Sequence, residues 1–147
     1  MSLNMGFRLL TSCKKSVLPK ITSSTRTFHS SLPRAIVYPK ATAETFTKVT
    51  TAKDRIAVVD FYADWCGPCH QLAPVIEKLT NEPNKSGTGL PFDLVKVDTD
   101  SDEGQVLGAK YKVRALPTVV AFRDGVPVSQ FVGALNEAGV QKFLSQL

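Results

Sequence analysis

After residue 35 the apolar and polar positions alternate between two periods. Ala35–Tyr38 is a short β-rich run. Thr42–Ala52 reads as a helix that Thr42 can cap, with Phe46 and Val49 on one face. Ile56–Tyr62 (Ile-Ala-Val-Val-Asp-Phe-Tyr) is an apolar run of strand length rich in β-branched residues, the pattern of a central strand buried on both faces. From Gly67 onward the spacing of Leu72, Val75, Ile76 and Leu79 predicts a helix, which Pro74 should kink. Asn81–Leu90, holding Pro83, Gly87 and Gly89, reads as a loop. Phe92–Val97 is the next strand, followed by an acidic turn over Asp98–Asp102. Val106, Ala109 and Lys110 are assigned to a helix ending near Tyr111. Thr118–Arg123 and Val128–Val132 read as strands joined at Asp124-Gly125, a hairpin signal. Asn136 can cap a last helix whose face is Val140, Phe143, Leu144 and Leu147. The order β-α-β-α-β-α-β-β-α predicts an α/β fold: alternating units make parallel strands, the hairpin adds an antiparallel edge, and helices flank a central mixed sheet.

Charge changes the picture of the first 35 residues. The chain of 147 residues carries a formal charge of +5, with 18 Lys and Arg against 13 Asp and Glu. Arg8, Lys14, Lys15, Lys20, Arg26 and Arg34 all lie before residue 36, and the first carboxylate is Glu44. The remainder holds 12 basic and 13 acidic residues and is close to neutral. A nucleic-acid-binding reading needs a basic face on the folded domain and loses its support. A leader rich in Ser, Thr, Lys and Arg, without acids and with scattered apolar residues, has the composition of a mitochondrial or plastid transit peptide. It lacks the continuous apolar centre of a secretory signal. Arg26-Thr27-Phe28-His29-Ser30-Ser31 resembles the two-step mitochondrial processing pattern, which sets the expected division at 1–35 and 36–147. No apolar run approaches bilayer-spanning length, so a soluble product with no membrane partner is expected.

Two cysteines remain outside the leader, since Cys13 lies within it: Cys66 and Cys69, in Trp65-Cys66-Gly67-Pro68-Cys69. Cys66 stands where the apolar strand gives way to a helix. A helix N-terminus offers unpaired N–H groups and partial positive charge, which favour the nucleophilic thiolate. Cys69 follows one turn later, so either thiol could attack a mixed disulfide formed by the other. Gly67 allows close approach and Pro68 suits an early helical position. A zinc site would need two more ligands. Of the candidates, Cys13 and His29 lie in the leader and His70 directly follows Cys69. A purely structural disulfide would close a very short loop and restrict the unfolded chain little. Redox chemistry explains the pair better than either, with no metal or organic cofactor.

The run Val59-Asp60-Phe61-Tyr62-Ala63-Asp64-Trp65-Cys66-Gly67-Pro68-Cys69 resembles the active-site strand and turn of thioredoxins. The resemblance extends through Ala73-Pro74, Lys96-Val97-Asp98, Leu116-Pro117-Thr118, Phe122, Asp124-Gly125 and Val132-Gly133-Ala134, nearly all of 36–147. Cys-Gly-Pro-Cys separates it from glutaredoxins, which usually carry Cys-Pro-Tyr-Cys, and from disulfide isomerase domains, which usually carry Cys-Gly-His-Cys. With the arginine-rich leader, the resemblance is to thioredoxins of the mitochondrial type. It implies the thioredoxin fold and a protein-disulfide reductase in the mitochondrial matrix. It further implies recycling by an NADPH-dependent thioredoxin reductase, and disulfide-containing protein substrates such as peroxiredoxins. A monomer is expected.

The same resemblance assigns roles. Cys66 would attack and Cys69, the buried member, would resolve. Asp60 would help move the proton of Cys69; as a carboxylate in an apolar strand its proton affinity should be raised by desolvation, unless it reaches solvent at the strand end. Lys96 matches a lysine near that carboxylate. Pro117 matches a cis-proline facing the disulfide, and with Gly67, Pro68 and Lys96 it would tune the pair. Trp65, Leu116, Pro117, Gly133 and Ala134, beside Gly67 and Pro68, would form an apolar rim for protein substrates. Tyr62 stands where many thioredoxins have Trp, and Asp64 and His70 where Glu or Lys are common. His70 is read as a solvated helix residue. The Pro83–Leu90 loop is longer than the usual connection and is expected to be peripheral.

Overall fold

The computed structural model describes residues 35–82 and 86–147. The expected transit peptide up to Arg34, with Cys13, and Pro83, Asn84 and Lys85 of the loop lie outside the described residues. The elements are β1 (Val37–Tyr38), α1 (Ala43–Thr50), β2 (Ile56–Tyr62), α2 (Gly67–Asn81), β3 (Phe92–Asp98), α3 (Asp102–Lys110), β4 (Thr118–Arg123), β5 (Val126–Val132) and α4 (Glu137–Ser145). They occur in the expected order. The sheet runs β1-β3-β2-β4-β5, with β1, β3 and β2 parallel and β4 and β5 antiparallel.

Local chemistry explains the boundaries. Thr42, Ser101 and Asn136 each accept a backbone N–H from the first turn of α1, α3 and α4. α1 is shorter than expected at both ends, because Thr42 is the cap and Thr51 closes the last turn. α2 continues through Pro74, which removes one N–H without ending the helix. The β4–β5 turn places both Asp124 (φ 52°) and Gly125 (φ 80°) in the left-handed region that a two-residue type I′ hairpin requires. This tight turn lets β5 begin at Val126, two residues earlier than the apolar pattern suggested.

Alternation along β2 divides the core. Ile56 and Val58 face α2 and α4 with Leu72, Ile76, Leu94, Val140 and Phe143. Ala57, Val59 and Phe61 face the opposite layer with Phe46, Val49, Val97, Leu107 and Phe122. By the same period, Asp60 lies on the α2 side of the sheet. Its register partner on β3 is Lys96.

The helix expected to end near Tyr111 is present as α3, and packing decides which of its faces is buried. Val106 is 69% exposed, whereas Leu107 is buried against the α1 layer, with Gly104 and Gly108 also buried on α3. The apolar spacing of this short helix is too sparse to fix its phase. The close approach of Gly104 to the carbonyl of Asp98, where a Cβ would collide, turns the helix so that Leu107 points inward.

The described part of the Asn81–Leu90 loop joins α2 to the start of β3, the end of the sheet opposite the C-terminus of β2. Thr88 donates from Oγ1 to the carbonyl of Leu147 at 3.2 Å, and Ser86 is buried. The segment is thus peripheral to the cysteines, as expected, yet tied to the chain's C-terminus.

Leu107→Ala should cost about 2–5 kcal/mol of stability, and Val106→Ala should change it by no more than about 0.5 kcal/mol. Urea unfolding midpoints of the two variants measure this directly. Equal losses would mean that α3 is packed in a different phase.

Candidate active site

The strand-to-helix step at the C-terminal end of β2 builds the site. β2 is buried along its length and ends at Tyr62, a tight turn follows, and Cys66 is the N-cap of α2. The Sγ of Cys66 accepts the backbone N–H of Cys69 at 3.2 Å. A sulfur in the cap position takes the place of the usual Ser or Asp oxygen, so the unpaired amides and the helix dipole act on it. Each favours the thiolate when the pair is reduced. In this structure Cys66 and Cys69 form a disulfide, with their Cα atoms 5.3 Å apart. Both cysteines are buried, so burial alone does not distinguish them.

Their surroundings do distinguish them. Cys69 lines a cleft of about 270 Å³ that also reaches Asp60, Tyr62, Asp64, His70 and Lys96. Asp60 is only 1% exposed, and its Oδ1 has no hydrogen-bond partner. Burial pushes its carboxyl up to about 6, opposed by the positive charge of Lys96 and assisted by the negative charge of Glu77. The alternative of an acid reaching solvent at the strand end is removed by this geometry. Asp60 can exchange a proton in the neutral pH range, which an ordinary aspartate cannot.

Lys96 faces the same side of the sheet but does not pair with Asp60. Its Nζ donates to Glu77 Oε1 at 2.9 Å and lies 5.3 Å from the centroid of the Tyr62 ring. Glu77 was not foreseen. The signal was present, since Cys69, Ala73 and Glu77 recur every four residues along one stripe of α2.

Trp65 is 72% exposed and is held by a hydrogen bond from its Nε1 to Asp100 Oδ2 at 3.0 Å. Asp100 also lay beyond the sequence reading, which took it only as part of an acidic turn. Gly67 and Pro68 are exposed beside the disulfide. The Leu116–Pro117 peptide is cis, and the carbonyl of Pro117 accepts the N–H of Gly133 at 2.8 Å, which joins the β4 and β5 sides of the rim. Leu116 packs against Ala63, Cys66 and Cys69. Trp65 and Leu116 border a groove of about 420 Å³ whose other walls include Gly104, Gly108, Ala109 and Arg114. Gly133 and Ala134 lie outside that groove. His70 is exposed, and its Nε2 donates to the carbonyl of Asp64 at 2.8 Å.

This fold and this cysteine-capped helix have a counterpart among known proteins. Residues 37–146 match the thioredoxin family. The chain is 34% identical to the chloroplastic thioredoxin Y1 of Arabidopsis thaliana over 80% of its own length, a match that spans 62% of that protein. It is also 34% identical to a thioredoxin of Mycolicibacterium smegmatis, over 71% of this chain and 88% of that one. The solved structure of Malassezia sympodialis thioredoxin superimposes with a TM-score of 0.62 at 32% identity, covering 80% of this chain and 96% of that one. The thioredoxin of Fasciola hepatica does so with a TM-score of 0.58 at 37% identity, covering 76% and 97%. The chain belongs to the thioredoxin family of disulfide oxidoreductases.

The Asp60 carboxyl binds its proton more tightly in the folded chain than in the unfolded one. Below the unfolded value near 4 it is neutral in both states and costs nothing through ionisation. As pH rises through about 6 the folded chain must bury a charge. Asp60→Asn should therefore gain up to about 3 kcal/mol over the natural chain at pH 8 and lose that advantage at pH 4. Urea unfolding at the two pH values is the measurement, and a gain independent of pH would contradict the assignment.

Proposed function

We propose that this chain reduces disulfides of other proteins by dithiol–disulfide exchange, in mitochondria, with Cys66 attacking and Cys69 resolving. The observation that carries the reading is the asymmetry of the two sulfurs. Cys66 Sγ is the cap of α2 and receives an N–H, while Cys69 shares a cleft with a buried carboxyl. In the first step the Cys66 thiolate attacks one sulfur of the substrate disulfide. An S–S bond forms to Cys66 and the other substrate sulfur leaves as a thiolate. Cys69 then gives its proton to Asp60 and attacks Cys66 Sγ. The bond between Cys66 and the substrate breaks, and the second substrate sulfur departs with its electron pair. The result is the Cys66–Cys69 disulfide and a reduced substrate.

Exposed Trp65, Gly67 and Pro68, together with the groove beside Leu116, offer an apolar surface for a substrate segment around its disulfide. Renewal of the dithiol falls to an NADPH-dependent thioredoxin reductase, and peroxiredoxins are among the expected substrates, as in the family at large. Support for the mitochondrial address is the acid-free basic leader and its Arg-Thr-Phe-His-Ser-Ser segment. The Arabidopsis relative is chloroplastic by name, and a plastid is the competing destination for such a leader.

Insulin reduction by the full chain with dithiothreitol should run well above the rate with dithiothreitol alone, and Cys66→Ser should return it to that background. On a Cys13→Ser chain, Cys69→Ser should accumulate mixed disulfides with substrate through Cys66. If Cys66→Ser accumulates them equally well, the two roles are wrongly assigned. Offered to isolated mitochondria and chloroplasts, the labelled full chain should be taken up and shortened by mitochondria; processing by chloroplasts alone would overturn the address.

A further inference from the structure

Lys96 and Asp60 are register partners on adjacent parallel strands and lie on the same side of the sheet. A lysine opposite a buried carboxylate has every electrostatic reason to pair with it. It does not do so. Its ammonium is drawn toward α2, where Glu77 accepts it at 2.9 Å, and toward the Tyr62 ring at 5.3 Å, while Asp60 Oδ1 is left without a partner. We propose that Glu77 is a positioning residue: it holds Lys96 off Asp60 and so keeps the carboxyl able to accept the Cys69 proton in the resolving step.

The proposal rests on the reading of Asp60 as that proton acceptor. A direct Lys96–Asp60 pair would fix the carboxyl in its ionised form and make it too weak a base toward a thiol. Removing Lys96 altogether would instead take away the positive charge that stands opposite Asp60 in the sheet register. With Glu77 as its partner, Lys96 stays close enough to moderate the buried charge without neutralising it. Both influences are present, the lysine lowering and the glutamate raising the proton affinity of Asp60.

Other groups face the same cleft. Tyr62 and Asp64 follow Asp60 along the chain, Cys69 and His70 come from the start of α2, and Lys40 comes from the segment before α1. Asp98 lies two residues beyond Lys96 on β3, and β4 places Val119, which does not titrate, opposite Asp60. None of these residues is substituted in the Glu77 and Lys96 variants, and the double variant accounts for any influence they share.

The test is the titration of Asp60 in the full oxidised chain, followed by NMR of carboxyl-labelled aspartate; there Cys66 and Cys69 are bonded to each other and do not contribute. Glu77→Gln should move the midpoint to lower pH by roughly half a unit or more. Lys96→Met should move it to higher pH. In the Lys96→Met background the effect of Glu77→Gln should shrink to less than half, because there is no lysine left to position. An unmoved midpoint in Glu77→Gln, a movement upward, or an effect of full size without Lys96 would each overturn the proposal.

A second measurement separates this from the reading beneath it. On the Cys13→Ser chain, release of a reporter thiol from its mixed disulfide with Cys66 should slow several-fold at neutral pH in Glu77→Gln, with its pH profile displaced in the direction of the Asp60 midpoint. If Asp60→Asn leaves the release profile unchanged, Asp60 is not the proton acceptor and the proposal falls with it. If Asp60→Asn changes the profile and Glu77→Gln does not, Glu77 alone is refuted.

Discussion

A carboxyl group held in the apolar interior of β2 is the constraint around which this site is organised. Asp60 occupies a position where its neighbours along the strand are Val59 and Phe61 and where solvent reaches almost none of it. Burying a charge there is costly. The fold accommodates that cost by leaving the carboxyl with an affinity for protons far above that of an ordinary aspartate. The same burial that weakens the fold at high pH gives the site a group that can trade a proton near neutrality. Stability and chemistry are opposed at this one residue.

The second organising feature is the junction between β2 and α2. A buried parallel strand must end where its helix begins, and the helix end brings unpaired amides to that point. Placing a cysteine at the cap and another one turn inside it gives two chemically different sulfurs on a single rigid element. One lies in the chain between exposed Trp65 and exposed Gly67 and Pro68, and the other shares a cleft with Asp60. No flexible loop has to bring these groups together, because strand, turn and helix are consecutive in the chain.

The surroundings of the junction come from elsewhere. Pro117 and Leu116 arrive from the start of β4, Gly133 from the end of β5, and Asp100 from the turn before α3. Each is placed by the sheet order β1-β3-β2-β4-β5, which brings β3 and β4 to either side of β2. The sheet is therefore what assembles the rim, and the short-range pattern around the cysteines supplies only its centre.

By itself the sequence determined the order of the elements, the limits of β2 and β4, the caps at Thr42 and Asn136, and the Asp124-Gly125 hairpin. Those features depend on apolar period and on turn and cap chemistry over a few residues, which are local properties of the chain. It also showed Asp60 as a polar interruption in an apolar strand, and Cys66 and Cys69 at a helix start. The phase of α3 was left open by its sparse apolar pattern, and the tertiary packing of one glycine against the Asp98 carbonyl sets it. Only the tertiary structure decided whether Asp60 reaches solvent, which partner Lys96 takes, and what holds Trp65. The contacts to Glu77 and Asp100 span 19 and 35 residues of chain. Charges so far apart in sequence have no preferred partner until the sheet and α2 set their distance, and several acids compete for each donor until then.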